Sequence, residues 1–181
     1  DLMRLIEGKT SWDFVGISGN YRTFGNIYRV EPGAFEFFPN EKKPLIVANI
    51  GGFSMDKPLK EKEKKACYLR YIESLEELDT EGVEIIPQTM APFPWHFGGQ
   101  RYQNLFVQVD EIEKYCNEYN FRMCFDISHS KLMSNHFKKD FYDFAERILP
   151  YVAHIHMGDA SGINGEGLQI GEGEIDFIKL G

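Results

Sequence analysis

The sequence predicts an α/β fold, a partial (β/α)8 barrel of about five β/α units, and three observations carry that reading. Five short strand-like runs, at residues 13–17, 45–50, 83–88, 122–126 and 153–157, are separated by segments of mostly helical character. Their starts lie 32, 38, 39 and 31 residues apart, against about 31 per unit in an eightfold barrel of roughly 250 residues. Three polar residues, Gln88, Asp126 and His156, stand where hydrophobic runs stop, and parallel barrel strands would gather them at one mouth. Residues 1–181 read as a single domain that lacks barrel strands at both ends, and an opening Asp1 in place of Met agrees with that.

Each element has its own local reason. Leu2, Leu5 and Ile6 read as a helix end feeding the first strand, and the glycine- and aromatic-rich residues 18–40 as a loop with an irregular helix. Pro44 precedes Leu45-Ile46-Val47-Ala48-Asn49-Ile50, an almost continuous apolar run that suits a strand buried on both faces, and Gly51-Gly52 stops it. Over residues 58–78, Leu59, Ala66, Leu69, Ile72, Leu75 and Leu78 recur at helical spacing behind Pro58, predicting an amphipathic helix with those residues inward. Gly82 separates that helix from the third strand.

Residues 89–104, with Pro92, Pro94, Trp95, His96, Gly98, Gly99 and Arg101, form a long loop of the kind that more often acts as a lid than as a connector. A helix over 105–119 turns Val109, Ile112 and Cys116 inward. Another over 137–149 presents Phe137, Phe141, Phe144, Ala145, Ile148 and Leu149 to the barrel wall and ends at Pro150. A glycine-rich loop, 158–173, and a helix start at Asp176 close the chain. Strand, helix, strand in this rhythm implies right-handed parallel crossovers.

Composition narrows the function. With 181 residues and 43% hydrophobic content the chain can bury a core. A formal charge of -8 repels phosphodiester backbones and anionic membranes, so neither nucleic acid nor a membrane is expected as a partner. The basic run at 57–65 alternates with Glu61 and Glu63 and reads as a solvated helix face. Three widely spaced cysteines, Cys67, Cys116 and Cys124, suggest neither a disulfide framework nor a zinc ribbon and fit a reducing cytoplasm. No run reaches the 18 or so apolar residues of a membrane span.

The chemistry-bearing residues cluster at the predicted strand ends. Asp126-Ile127-Ser128-His129 sets a carboxylate at a strand end and an imidazole three positions on, and His156 can add another nitrogen donor. Carboxylate oxygen and imidazole nitrogen drawn from different strands suit a divalent cation. Either residue alone reads more simply as a helix cap or a core histidine. His154 and His156 alternate along one strand and share its inner face, which leaves Ala153, Ile155 and Met157 for the helix side. His96 and Arg101 in the long loop are candidates to touch a ligand from above.

Phe125-Asp126-Ile127-Ser128-His129, His154-Ile155-His156-Met157-Gly158-Asp159 and the run from Ile170-Gly171-Glu172-Gly173 to Glu174-Ile175-Asp176-Phe177 come in that order. Together they resemble the xylose isomerase-like TIM barrel superfamily of sugar isomerases and epimerases, inosose dehydratases and endonuclease IV, from about Pro44 onward. The resemblance implies a metal held by Asp126 and His156, a substrate-contacting His129, and Gln88 where a first Glu is expected; a final Glu would lie beyond Gly181. Glutamine offers a carbonyl oxygen but no charge and cannot serve as a general base. Asn49 and Gly165-Glu166-Gly167 stand where the nuclease branch carries further histidines, which argues against DNA repair.

The expected function is therefore a divalent-metal-dependent isomerase or epimerase acting on a sugar or sugar derivative through enediolate-type proton transfer. Asp126, His156 and Gln88 would hold Mn, Mg, Co or Zn, unless Gln88 has cost the site its metal. His129 and Gln88 are the candidate catalytic residues, and His129, Asn49, His96 and Arg101 the candidate substrate contacts. A homo-oligomer is allowed by this reading. The alternative is a barrel that has lost catalysis and serves as a carbohydrate-binding or assembly module, and lyase chemistry on the same scaffold is a third option.

Overall fold

A computed structural model describes residues 14–17, 43–80, 82–96 and 99–180. Expectations for Leu2, Leu5, Ile6, Asp13 and residues 18–40 fall outside the described residues. Five parallel strands line up in chain order: β1 (Phe14–Ile17), β2 (Leu45–Ala48), β4 (Glu84–Pro87), β8 (Met123–Asp126) and β9 (Val152–His156). β1 pairs with β2, β2 with β4 and β8 with β9. A parallel bridge between Gln88 and Cys124 joins the two groups. This is the order a barrel wall requires, and each strand falls within a residue of the predicted run except β2, which ends at Ala48 instead of Ile50.

The outer layer is made of α1 (Glu61–Glu76), α2 (Val109–Tyr119), α3 (Ile127–Phe137) and α4 (Phe141–Ile148). The large hydrophobic cluster lies between these helices and the sheet and includes Tyr68, Phe106, Ile112, Met123, Leu132 and Phe144. A smaller cluster of Val47, Ile86 and Cys124 joins β2, β4 and β8. No helix among the described residues is long and apolar enough to cross a membrane.

Several expectations need correction. In α1 the buried residues are Tyr68 and Tyr71, whereas Leu69 is 45% exposed. Tyr68 takes the inward place beside Leu69 because it stacks on Tyr115 at 3.6 Å and its hydroxyl meets Glu111 and accepts the Phe106 amide at 2.9 Å. A phenol can bury its ring and still satisfy its oxygen. α2 begins at Val109 and not at Leu105, because Phe106 takes a left-handed φ of 57° that no helix accommodates. Val109, Ile112 and Cys116 are inward as expected.

The segment after Asp126 is a full helix, α3, that the sequence pattern does not predict. Its buried residues mix apolar Ile127, Leu132 and Met133 with polar Ser128, His129, Ser130 and Ser134, so the apolar positions alone do not mark a helical stripe. Phe137 belongs to the exposed end of α3, Lys138 closes it in the left-handed region, and Asp140 caps α4 by accepting the Tyr142 and Asp143 amides. Leu149 is likewise exposed, leaving Phe141, Phe144, Ala145 and Ile148 as the buried stripe.

The long loop contains two short pairings: β5 (Trp95–His96) with β6 (Gly99–Gln100), and β7 (Tyr102–Gln103) with β3 (Phe53–Ser54). Its base is held by buried amides. Gln103 Nε2 donates to the Gly51 and Leu105 carbonyls at 2.7 and 2.9 Å, and Asn104 Nδ2 donates to Gly52 O at 2.7 Å. Gly52 is needed here twice over: its φ is +80°, and a Cβ would stand 2.4 Å from Leu105 Cγ. Gly52→Ala is expected to destabilise the fold by about 2–4 kcal/mol, since the buried Leu105 must move and the backbone is strained. A urea midpoint unchanged from wild type would show that this junction yields freely.

Candidate functional site

Parallel register brings the predicted strand ends together. Cys124 pairs with His154 and Asp126 with His156, so the inner side of β8 and β9 reads Cys124, Asp126, His154, His156. Ile155 and Met157 lie on the outer side, as expected, and remain 44% and 59% exposed there, whereas Ala153 falls at a register shift and packs against the Val47, Ile86 and Cys124 cluster. Gln88 follows β4 directly and its amide donates to Ala48 O at 3.2 Å.

Asp126 is the hub. Its Oδ1 accepts the His129 amide at 3.0 Å, which makes it the N-cap of α3. Its Oδ2 lies 3.4 Å from Nδ1 of both His129 and His156. Thr89 ties the neighbouring strand to this point: its Oγ1 accepts the Asp126 amide at 2.9 Å and donates to Asp126 O at 3.1 Å. Ser130 Oγ lies 2.8 Å from Asp126 O and 3.0 Å from Thr89 Oγ1. A buried polar knot with every member partnered fixes side chains more tightly than apolar packing does.

His129 sits inside this knot with both ring nitrogens engaged. Nδ1 is 2.9 Å from the Thr89 carbonyl and Nε2 is 2.9 Å from Glu166 Oε1. Both partners are acceptors, so the ring carries two protons. Burial opposes that charge, but the bond to Glu166 and the charges of Asp126 and Glu166 outweigh it and raise His129 to about 9. The ring that the resemblance implies as a substrate contact is thus occupied by the protein, and the group it carries forward is Glu166.

Glu166 lies on a hairpin, β10 (Asp159–Ser161) with β11 (Gly165–Leu168), inside the segment read as a loop. In the sequence Glu166 stands out only as part of Gly165-Glu166-Gly167, where the nuclease branch has histidines. Asp159 holds the hairpin's base. Fully buried, it accepts four backbone amides, from Ala160 and Ile175 on Oδ1 and from Gly171 and Gly173 on Oδ2, at 2.8 to 3.1 Å. Burial would raise its carboxyl, yet these donors bring it below the ordinary value.

The remaining candidates divide. Gln88 is 6% exposed, its Nε2 donates to Asn49 Oδ1 at 2.5 Å, and its Oε1 is buried with no partner among the described residues. Asn49 and Gln88 are therefore joined side chain to side chain at neighbouring strand ends. Arg101 is half-buried, its Nε without a partner, and no described bond links it to Gln88, Asp126, His129 or His156. His96 lies in β5, in register with Gly99.

Among the described residues no group of three or more His, Cys, Asp and Glu side chains is arranged to hold a metal ion. The donors that do converge fit part of a divalent shell: one carboxylate oxygen and one imidazole nitrogen 3.4 Å apart, with a neutral amide oxygen on the adjoining strand. The thiols do not enlarge the set. Cys116 and Cys124 are buried, and burial pushes each up to about 12, so they stay protonated.

Comparison with known proteins agrees with this architecture. No curated protein sequence matches the chain significantly. A crystal structure of a D-tagatose 3-epimerase-like protein superposes with a TM-score of 0.58 at 18% identity, over 99% of this chain and 69% of that one. The profile of the xylose isomerase-like TIM barrel family matches residues 43–180. With its parallel strands in barrel order and its polar residues gathered at their carboxyl ends, the chain belongs to the xylose isomerase-like TIM barrel family.

Proposed function

We propose that this chain is the Asp126-bearing part of a divalent-metal-dependent isomerase or epimerase acting on a sugar or sugar derivative. The observation that carries the reading is the meeting of Asp126 Oδ2 and His156 Nδ1 at 3.4 Å on adjacent strand ends, with Gln88, bridged to Cys124, at the end of the next strand. Asp126 and His156 would hold the cation, with Gln88 either a weak neutral ligand or a hydrogen-bond partner of the substrate. When bound, the cation supplies polarisation of a substrate carbonyl and stabilisation of enediolate charge. The D-tagatose 3-epimerase-like neighbour supports a ketose-type substrate only through shared fold.

The chain's own residues do the rest. The Thr89 and Ser130 bonds hold Asp126 in place, and Asp126 in turn orients His129 and His156. In either role Gln88 takes no proton. Acidic net charge makes a small molecule, not nucleic acid or membrane, the fitting partner, and three free cysteines suit a reducing cytoplasm. Self-association is compatible with this reading.

The test is metal analysis of the purified full chain, joined to solvent deuterium uptake by free D-fructose, D-tagatose and D-xylose followed by proton NMR. Near-stoichiometric metal with deuterium entering one C–H position is the expected result. The second reading, a barrel that binds carbohydrate without turning it over, is favoured by the neutral Gln88. It would be marked by sugar binding with neither metal nor exchange.

A further inference from the structure

Glu166 belongs to no strand end of the barrel, yet the fold delivers it to the site. The hairpin bearing it packs on the first turn of α3: Ser128 Oγ accepts the Gly167 amide at 2.7 Å, and a Cβ at Gly158 would meet Ser128 Cβ and Gly167 Cα at 3.6 Å. One carboxylate oxygen is held by His129 Nε2 at 2.9 Å, while the side chain keeps 43% of its exposure. Among the described residues its second oxygen takes no hydrogen bond.

That oxygen calls for O–H or N–H donors. Sugar hydroxyls supply them, whereas a phosphate or carboxylate group on the ligand would meet it with like polarity. We infer that Glu166 is a specificity-determining residue of this site: its second oxygen accepts a hydroxyl of an uncharged sugar while His129 holds the other. The inference rests on the sugar reading above and adds the residue and the charge class. A hydroxyl bonded to a carboxylate is held more strongly than one bonded to an amide, so loss of the charge is expected to weaken binding by about 10- to 100-fold.

The experiment is ligand-observed NMR on the full chain with D-fructose, D-tagatose, D-xylose and D-fructose 6-phosphate. Glu166→Gln keeps an oxygen for His129 and removes only the charge, so the variant should fold with an unchanged melting temperature. At least one free sugar should bind wild type, bind Glu166→Gln at least tenfold more weakly, and recover in part with Glu166→Asp. Ser128→Ala, which loosens the hairpin but leaves the carboxylate, should change binding less than threefold. Equal binding by Glu166→Gln, or a tenfold preference of wild type for the phosphate ester, overturns this inference and leaves the isomerase reading standing. No binding of any of the four probes removes both.

Discussion

Asp159→Asn should cost about 3–5 kcal/mol of stability and free the hairpin that carries Glu166. The substitution keeps shape while replacing an acceptor-only carboxylate by an amide whose NH2 must face two of the four inward-pointing backbone donors. Bonds to an ionised group contribute about 1.5–3 kcal/mol each, and a donor left facing another donor in a buried site also forfeits its solvation. The neighbourhood has no room to adjust, because a Cβ on Gly173 would already stand 2.3 Å from Asp159 Oδ1. Faster amide exchange at Gly171, Gly173 and Ile175 with a lowered urea midpoint is the expected signature. A midpoint within about 0.5 kcal/mol of wild type, the range of ordinary surface changes, would refute the role.

The same carboxylate sets an acid limit. Its folded-state value is depressed, so its contribution is present above the unfolded value of about 3.9 and is lost as pH falls through the lower folded value. Between neutral pH and about pH 5 the hairpin should be indifferent to acid as far as Asp159 is concerned; below about pH 4 it should loosen. Glu174, whose carboxyl is lowered by the Gly162 amide and by the Asn135 and Ser161 side chains, adds to the same trend. Amide exchange followed from pH 6 to pH 3 gives the measurement, and protection that rises on acidification would contradict it.

Asp126→Ala is expected to abolish metal retention and turnover in the full chain. Loss of an outer-shell partner typically costs 10- to 100-fold in affinity or activity, and Asp126 is assigned to the cation itself, so the fall should exceed about 100-fold. Part of the effect is structural, since the cap of α3 is worth about 1 kcal/mol. Asp126→Asn separates the two contributions: its carbonyl can still accept the His129 amide, now 3.0 Å from Oδ1, but it brings no charge to His129 and His156. Asn should therefore fold nearly as wild type and still lose metal. Metal content and deuterium uptake equal to wild type in Asp126→Asn would rule out the assignment.

Much of the fold is legible along the chain, and particular residues show why. Val83 to Gln88 and Arg122 to Asp126 are short apolar runs that end on polar residues, and β4 and β8 lie within them. α4 was visible through Phe141, Phe144, Ala145 and Ile148, a stripe whose burial is a property of one helix. α3 is harder to read because Ser128, His129 and Ser130 share its buried side with Ile127, Leu132 and Met133 and break the apolar stripe, and their burial makes sense only once Thr89, Asp126 and the hairpin supply their partners. Leu69 misled for a related reason: the interior took Tyr68, whose hydroxyl found Glu111 and the Phe106 amide some 40 residues away.

The strand rhythm, the polar strand ends and the DxxH spacing follow from periodicities of two and 3.6 residues and from chain stops, which are local and readable in one dimension. That Asp126 meets His156, that His129 is held by Thr89, and that Glu166 reaches the site from 37 residues beyond His129 are matters of register and packing. A charged or amide side chain carries no periodic mark of its partner. Its place is decided by which distant donor or acceptor satisfies it once water is excluded, and only the assembled barrel wall supplies that partner.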